Sequence, residues 1–308
     1  MALPLGACVK LTPVEIPIAA WPGYEYFYLA QEQKLDRAQG LEIRTLSFPD
    51  SGAIASAYAQ GRLAIAQITT VEAVDICSRV PKRCPVVVLA LNESRGGDKV
   101  VVRPSIATIA GLRGRRVGLA TNTLGPYVLS RALAQEGLEL ADVRIVPMPL
   151  EDMGRRLTSG EIDGVAFFPP FSDEVLASGK AVEVFNSAAI PGEIFDVLVV
   201  EPTWYRQNLD TLARLLRVWQ DAHASARRDP GALDIMAARE GITADAFRRT
   251  EGGLVYTDLP AQKALLAPGG ILARNLAAVL AVQKDLGVIE GPAPLPRVET
   301  EPIRRALE

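Results

Sequence analysis

Short apolar runs alternate with amphipathic stretches of helical period along the chain, a pattern that predicts βαβ units and largely parallel sheets. Residues 15–21 read as a first strand ending in the turn signal Pro22-Gly23. A helix follows over residues 26–37 with Gly40 as its stop, then a second strand over 41–48. Ser51-Gly52 opens a helix through Gln60, and a third strand over 64–68 leads into a helix capped by Thr69-Thr70. Residues 86–91 are a fully apolar strand.

A second set begins near Val100. Strands are predicted over 115–120, 143–148 and 165–168, with helices over 126–135 and 150–159 and a polar loop at 121–125. Residues 194–200 make a further strand, and from Thr203 onward the pattern is almost wholly helical. One βαβ set is therefore inserted within the other, joined by extended segments near 98–103 and 194–200. That organisation predicts a hinged body of two lobes. Lobe I comprises residues 15–99 and 197–290, and lobe II residues 100–196. Residues 1–14 read as a leader remnant, and residues 291–308, beginning in the Pro-rich stretch 291–297, as a C-terminal tail.

The 308 residues suffice for two cores, and 49% hydrophobic with 22% charged residues is ordinary for a soluble globular protein. A net charge of −3 supplies no basic face for nucleic acid. No apolar run approaches the roughly 20 residues that span a bilayer. One histidine and three cysteines, without a CxxC, offer no grouped metal ligands. His223 lies in a helical stretch of mixed polarity and reads as a surface or half-buried residue rather than a general base. There is no GxSxG elbow and no Gly-rich phosphate loop. No catalytic residue, metal or cofactor is expected. Cys77 and Cys84 flank a turn containing Pro81, and both a small disulfide loop and two buried thiols are compatible with that spacing. Leu5-Gly-Ala-Cys8 has the small-residue pattern that precedes a lipid-modified cysteine, although residues 1–7 lack the basic and apolar regions of a full export signal. The expectation is a truncated signal and a periplasmic protein, or one lipid-anchored on the outer side of the cytoplasmic membrane.

Four motifs carry a family resemblance. They are Trp21-Pro-Gly-Tyr-Glu25 followed by Tyr28-Leu-Ala30, Ser51 to Gly61 followed by Leu63-Ala-Ile-Ala66, Ile109-Ala-Gly-Leu-Arg-Gly-Arg-Arg-Val-Gly118, and Leu157-Thr-Ser-Gly-Glu-Ile-Asp-Gly164. In order and spacing over residues 15–290, the chain resembles the nitrate/sulfonate/taurine class of periplasmic binding proteins that feed ABC importers. The resemblance implies a periplasmic-binding-protein type II fold, with two α/β lobes, a hinged cleft and a helical C-terminal region. It further implies a monomer that captures a small-molecule ligand, closes on it and docks on an ABC permease. A ligand-sensing partner protein of the same fold is a second reading. Thiamine-pyrimidine synthases resemble the chain in outline, but they carry a cysteine-rich motif and site histidines that are missing here.

In parallel α/β sheets, ligands sit beyond the carboxyl ends of the strands, among free helix N–H groups. Four loops meet that condition: residues 21–25, 49–52 with 69–70, 121–125 and 168–171. Ser51, Gly52, Thr69, Thr70, Thr121, Asn122 and Thr123 lie at helix starts, as caps, as ligand contacts, or as both. Trp21, Tyr24, Tyr127 and Phe168 supply aromatic surface, either core or pocket wall. A sulfonate or nitrate site would favour Arg or Lys in these loops, and only Arg95 lies near. Acids recur instead: Glu25, Asp98, Glu193 and Asp196. Carboxylates beside aromatic faces suit a ligand with positive charge or several N–H donors.

Overall fold

Thr12–Ile18 (β1) and Leu41–Ser47 (β2) pair in parallel at one edge of the first lobe in the computed structural model, which describes residues 10–308. Between them lie Glu25–Glu32 (α1) and Leu35–Ala38 (α2). The single helix expected over 26–37 is broken because Lys34 takes a left-handed conformation with φ of 58°. The first strand lies earlier than expected, at Thr12–Ile18, so three residues read as leader belong to the sheet. Residues 1–9, with Cys8, lie outside the described residues.

Ser51–Ala59 (α3), Ile65–Thr69 (β3), Thr70–Arg79 (α4) and Val86–Ser94 (β4) complete the first passage through lobe I. The second lobe then holds Lys99–Val102 (β5), Arg116–Leu119 (β6), Gly125–Ala134 (α5), Arg144–Pro147 (β7), Leu150–Thr158 (α6), Gly164–Phe167 (β8), Phe171–Ala177 (α7) and Val182–Asn186 (β9). Phe195–Val200 (β10) returns the chain to lobe I. There follow Pro202–Gln207 (α8), Leu209–Arg228 (α9), Gly231–Glu240 (α10), Ala244–Glu251 (α11), Leu254–Val255 (β11), Leu259–Leu265 (α12), Ile271–Asp285 (α13), Arg297–Val298 (β12) and Glu301–Ala306 (α14).

The second sheet runs β7-β6-β8-β5-β9, with β5 antiparallel to both its neighbours. The first lobe mirrors it: β2 pairs with β1, β1 packs beside β3, and β10 lies antiparallel between β3 and β4. In each lobe the antiparallel strand is the first one laid down after the chain crosses over. The crossing segments are bonded to one another. Ser94 N–H donates to the Ile194 carbonyl (3.0 Å), Gly96 N–H to Ser187 Oγ (2.6 Å) and Gly192 N–H to Glu93 Oε1 (2.7 Å). These bonds tie together the two segments by which the chain passes between the lobes.

The stretch read as a C-terminal tail is part of lobe I. β12 pairs in parallel with β4, α14 packs on α9, and the Arg217 guanidinium donates to the Arg305 and Ala306 carbonyls that close α14. Its Pro-rich lead-in carries no helical period, so the pattern concealed the short elements beyond it. His223 is also not at the surface. It is buried on α9, stacked on Tyr26 and packed against Trp219 and Tyr256, and burial with Arg227 nearby pushes its pKa well below the ordinary value.

Cys77 at the end of α4 and Cys84 after the following turn form a disulfide, which settles the choice left open by their spacing. Replacing both by serine should cost about 2–3 kcal/mol of stability in urea unfolding, the entropy of a loop this short. Non-reducing peptide mapping should recover the two cysteines in one cross-linked fragment; two free thiols there would refute the pairing.

Candidate functional site

Strand ends from both lobes surround about 350 Å³ of empty space, part of it open to solvent, lined by Ala19, Ala20, Trp21, Tyr24, Ser51, Thr69, Asp98, Leu124, Phe168 and Asp196. Asp196, the second residue of β10, organises the lobe I side. Trp21 Nε1–H donates to its Oδ2 (3.0 Å) and the Tyr24 hydroxyl to its Oδ1 (2.5 Å). Both donors follow β1, where the Pro22–Tyr24 turn folds the chain back so that two aromatic residues reach one carboxylate. That turn requires Gly23, because a Cβ there would lie 2.0 Å from Asn92 Nδ2. Burial raises the Asp196 pKa to about 8; the hydrogen bonds from Tyr24 and Trp21 oppose the rise, and the charges of Asp98 and Glu72 add to it.

Asp98 enters from the crossing segment, 4% exposed, with one carboxylate oxygen lacking any partner among the described residues. Burial raises its pKa to about 6. Lys99 lowers it a little, but the ammonium is engaged elsewhere, bonding Glu183 (3.0 Å) and the Gly96 carbonyl (2.9 Å). From lobe II, Phe168 meets Trp21 edge to face at 5.7 Å, so the aromatic wall spans the cleft.

Glu72, which the sequence reading missed, stands immediately behind this wall. It accepts from Ser51 Oγ (2.6 Å) and from the Thr69 amide (2.8 Å), and Thr69 Oγ1 in turn caps α4. Burial lifts its pKa to about 7. The signal was present: Thr69 followed by Glu72 is a capping box, which brings the glutamate back to the strand end. Capping of α3 falls to Asp50 (2.7 Å to the Ala53 amide), which leaves the Ser51 hydroxyl free for Glu72.

Trp21, Tyr24, Ser51, Thr69, Asp98, Phe168 and Asp196 are thus brought together in one cavity. Gly52, Thr121, Asn122, Thr123 and Tyr127 line a neighbouring groove along the seam between the lobes. There α3 meets the loop after β6 so closely that a Cβ on Gly52 would lie 2.3 Å from the Asn122 carbonyl oxygen. Thr123 Oγ1 bonds within its own loop, donating to the Ala120 carbonyl (2.9 Å).

The remaining candidates lie outside the cavity lining. Thr70 is buried, and its hydroxyl lacks a partner among the described residues. Glu25 is buried against Arg239, which also donates to the Ala19 carbonyl (2.8 Å); the pair shapes the wall from behind. Glu193 holds Arg131 (2.7 and 2.9 Å) and accepts from the Tyr127 hydroxyl (3.0 Å). Arg95 pairs with Glu93 rather than facing the cleft. Among the described residues, the cavity lining includes no Arg, Lys, His or Cys.

The model of the NMT1-like family matches residues 9–240. A protein of Brachyspira hyodysenteriae, named as an ABC transporter periplasmic binding protein, is 26% identical over 224 residues; the match covers 67% of this chain and 62% of that protein's length. Among solved structures, the alkanesulfonate-binding protein of Xanthomonas axonopodis pv. citri, bound to MOPS, superposes with a TM-score of 0.76 at 15% identity, covering 92% of this chain and 96% of the other. The desulfurization enzyme DszB gives 0.68 at 19% identity, covering 96% and 99%. These likenesses establish the periplasmic-binding-protein fold, which in this set carries both binding proteins and an enzyme. On the family match, which extends over more than half its length, the chain belongs to the NMT1-like family.

Proposed function

We propose that this protein is the extracytoplasmic solute-binding component of an ABC importer, enclosing a small polar solute between its lobes and presenting it to a membrane permease. The observation that carries the reading is the cavity itself. Its walls come from both lobes, meet through Trp21 and Phe168, and hold buried polar groups that a ligand would satisfy. The names of the Brachyspira and Xanthomonas relatives support it. The Cys77–Cys84 disulfide suits an oxidising compartment outside the cytoplasm. The enzyme that shares the fold makes turnover the rival, but among the described residues the cavity lining offers neither thiol nor imidazole as nucleophile or base. In the proposed cycle a monomer binds its solute in an open form and closes about the crossover. Closure is driven only by the solute's differential affinity for the closed state. Micromolar binding, about −8 kcal/mol, suffices for closure and still permits release to the permease.

Three outcomes are expected. Equilibrium dialysis of the purified protein against yeast extract, followed by mass spectrometry, should retain a solute whose mass is unchanged after prolonged incubation. Recovery of a converted product would favour an enzyme instead. Gly52→Ala should leave the thermal midpoint nearly unchanged, since the site is a helix start, yet block full closure against Asn122. Small-angle scattering should show the variant staying expanded with the retained solute, with affinity down about tenfold or more, a change of about 1.4 kcal/mol.

The third outcome concerns pH. Asp98, Glu72 and Asp196 have native pKa values raised to about 6, 7 and 8 by burial, so the folded protein binds more protons than the unfolded chain across that range. The stability that these three groups contribute should therefore be fullest below about pH 4 and be lost as pH rises through 6 to 8. Asp196→Asn should flatten the upper part of that fall, melting about 2 °C or more above wild type at pH 8.5. Parallel melting curves for the two proteins would contradict the assignment.

A further inference from the structure

We propose that the solute is a small organic cation, an amine, guanidine or amidine on a short apolar or flat body. The proposal rests on the solute-binding reading and names the chemical class that this cleft selects.

Charge accounting around the cavity leads to it. Asp98 and Asp196 are in the lining, with Glu72 directly behind Ser51. The nearby cations are already committed to other partners: Lys99 to Glu183, Arg239 to Glu25, Arg131 to Glu193 and Arg95 to Glu93. Among the described residues the acids that face the cavity therefore have no counter-ion of their own, a costly arrangement in a buried site unless something neutralises them. In the empty cleft a proton on Asp196, whose pKa burial raises to about 8, does so in part, and a bound cation would take its place. The titratable groups facing Asp196 and Asp98 are Tyr24, Glu72, Tyr256 and Lys99, and Lys99 is the sole cation among them.

A second observation, independent of the charge count, points to a ligand. The unpartnered carboxylate oxygen of Asp98 is nine-tenths buried in the cavity wall, an acceptor waiting for a donor. The surfaces around it are Trp21, Tyr24 and Phe168, with Ala19, Ala20 and Leu124 between. Ring faces attract a cation, and the apolar patches suit the organic body that carries it. A bare Ca²⁺ or Mg²⁺ would want six or more oxygen ligands and a Zn²⁺ thiolates or imidazoles, which this lining does not supply among the described residues. An anion at pH 7 would meet the Asp98 carboxylate and, among the described residues, no side-chain cation in the lining. The alkanesulfonate named for the Xanthomonas structure thus has no counterpart to its charge here.

Pairs of probes with matched shape and opposite charge test the proposal: acetamidinium against acetate, and benzamidinium against benzoate, with benzenesulfonate added. Calorimetry at pH 7 in two buffers of different ionisation enthalpy should show saturable amidinium binding, favoured about 30-fold or more over the carboxylate of the same shape, with net proton release. Asp98→Asn and Asp196→Asn should each lower amidinium affinity by about 30-fold. Melting curves would show that the variants fold, and the two positions lie on different segments, so one can stand if the other does not. Preference for a carboxylate or for benzenesulfonate overturns the cation assignment while leaving solute capture intact. So does the absence of saturable amidinium binding up to about 1 mM, the weak end of useful affinity. Failure of dialysis to retain any solute would remove solute capture itself, so the two failures can be told apart.

Discussion

A buried carboxylate, Asp196, is the constraint around which this molecule is arranged. It sits on the strand that carries the chain back from lobe II, in register with Thr69 on one side and Asn92 on the other. Trp21 and Tyr24 from the far end of β1 both donate to it. The sheet centre, the turn after the first strand and the returning strand are therefore fixed to one another by a single side chain. Desolvation of that side chain is offset only in part by its two donors, which leaves the site poised to gain from a further positive charge.

The hinge follows from topology. Each sheet takes its antiparallel strand from the chain as it crosses over, so neither lobe completes its sheet without the crossover. The two crossing segments then bond through Ser94, Gly96, Ser187 and Gly192. Asp98 belongs to the same segment, and its backbone carbonyl accepts from the Ser187 amide (2.9 Å) while its carboxylate faces the cavity. In the proposed cycle a charge bound at Asp98 would act on the segment that joins the lobes, which would couple occupancy to closure with no relay of side chains between them.

Much of the fold was legible in the sequence because apolar runs such as residues 86–91, all buried, permit few other readings. The errors came where no period exists. Lys34 breaks a helix through its own backbone conformation, and β12 is two residues long behind a Pro-rich lead. Within the site, strand-end position pointed to Trp21, Tyr24, Ser51, Thr69 and Phe168, and the recurrence of acids near the crossover to Asp98 and Asp196, all seven of which line one cavity. It misled for Glu25 and Glu193, because sequence gives no sign that Arg239 and Arg131, more than 60 residues away in each case, will claim them. Glu72 was missed for the opposite reason: its capping pattern was local, but a capping glutamate ordinarily faces solvent, and only the approach of Ser51 buries it against the cleft.

The division between fold and lining explains how one architecture serves unlike solutes. The fold supplies strand ends, helix starts and a hinge, and these are indifferent to ligand charge. Helix N-termini at such ends favour anions on their own, and the bound MOPS of the Xanthomonas structure shows that the same fold can hold a sulfonate. In this chain the first turns of two of those helices are answered from within: Asp50 and Thr69 cap α3 and α4, and Glu72 takes the Thr69 amide. The dipole that could have drawn in an anion is spent on the protein's own acids. Asp98 and Asp196, buried with no salt-bridge partner among the described residues, face the solute with the opposite demand.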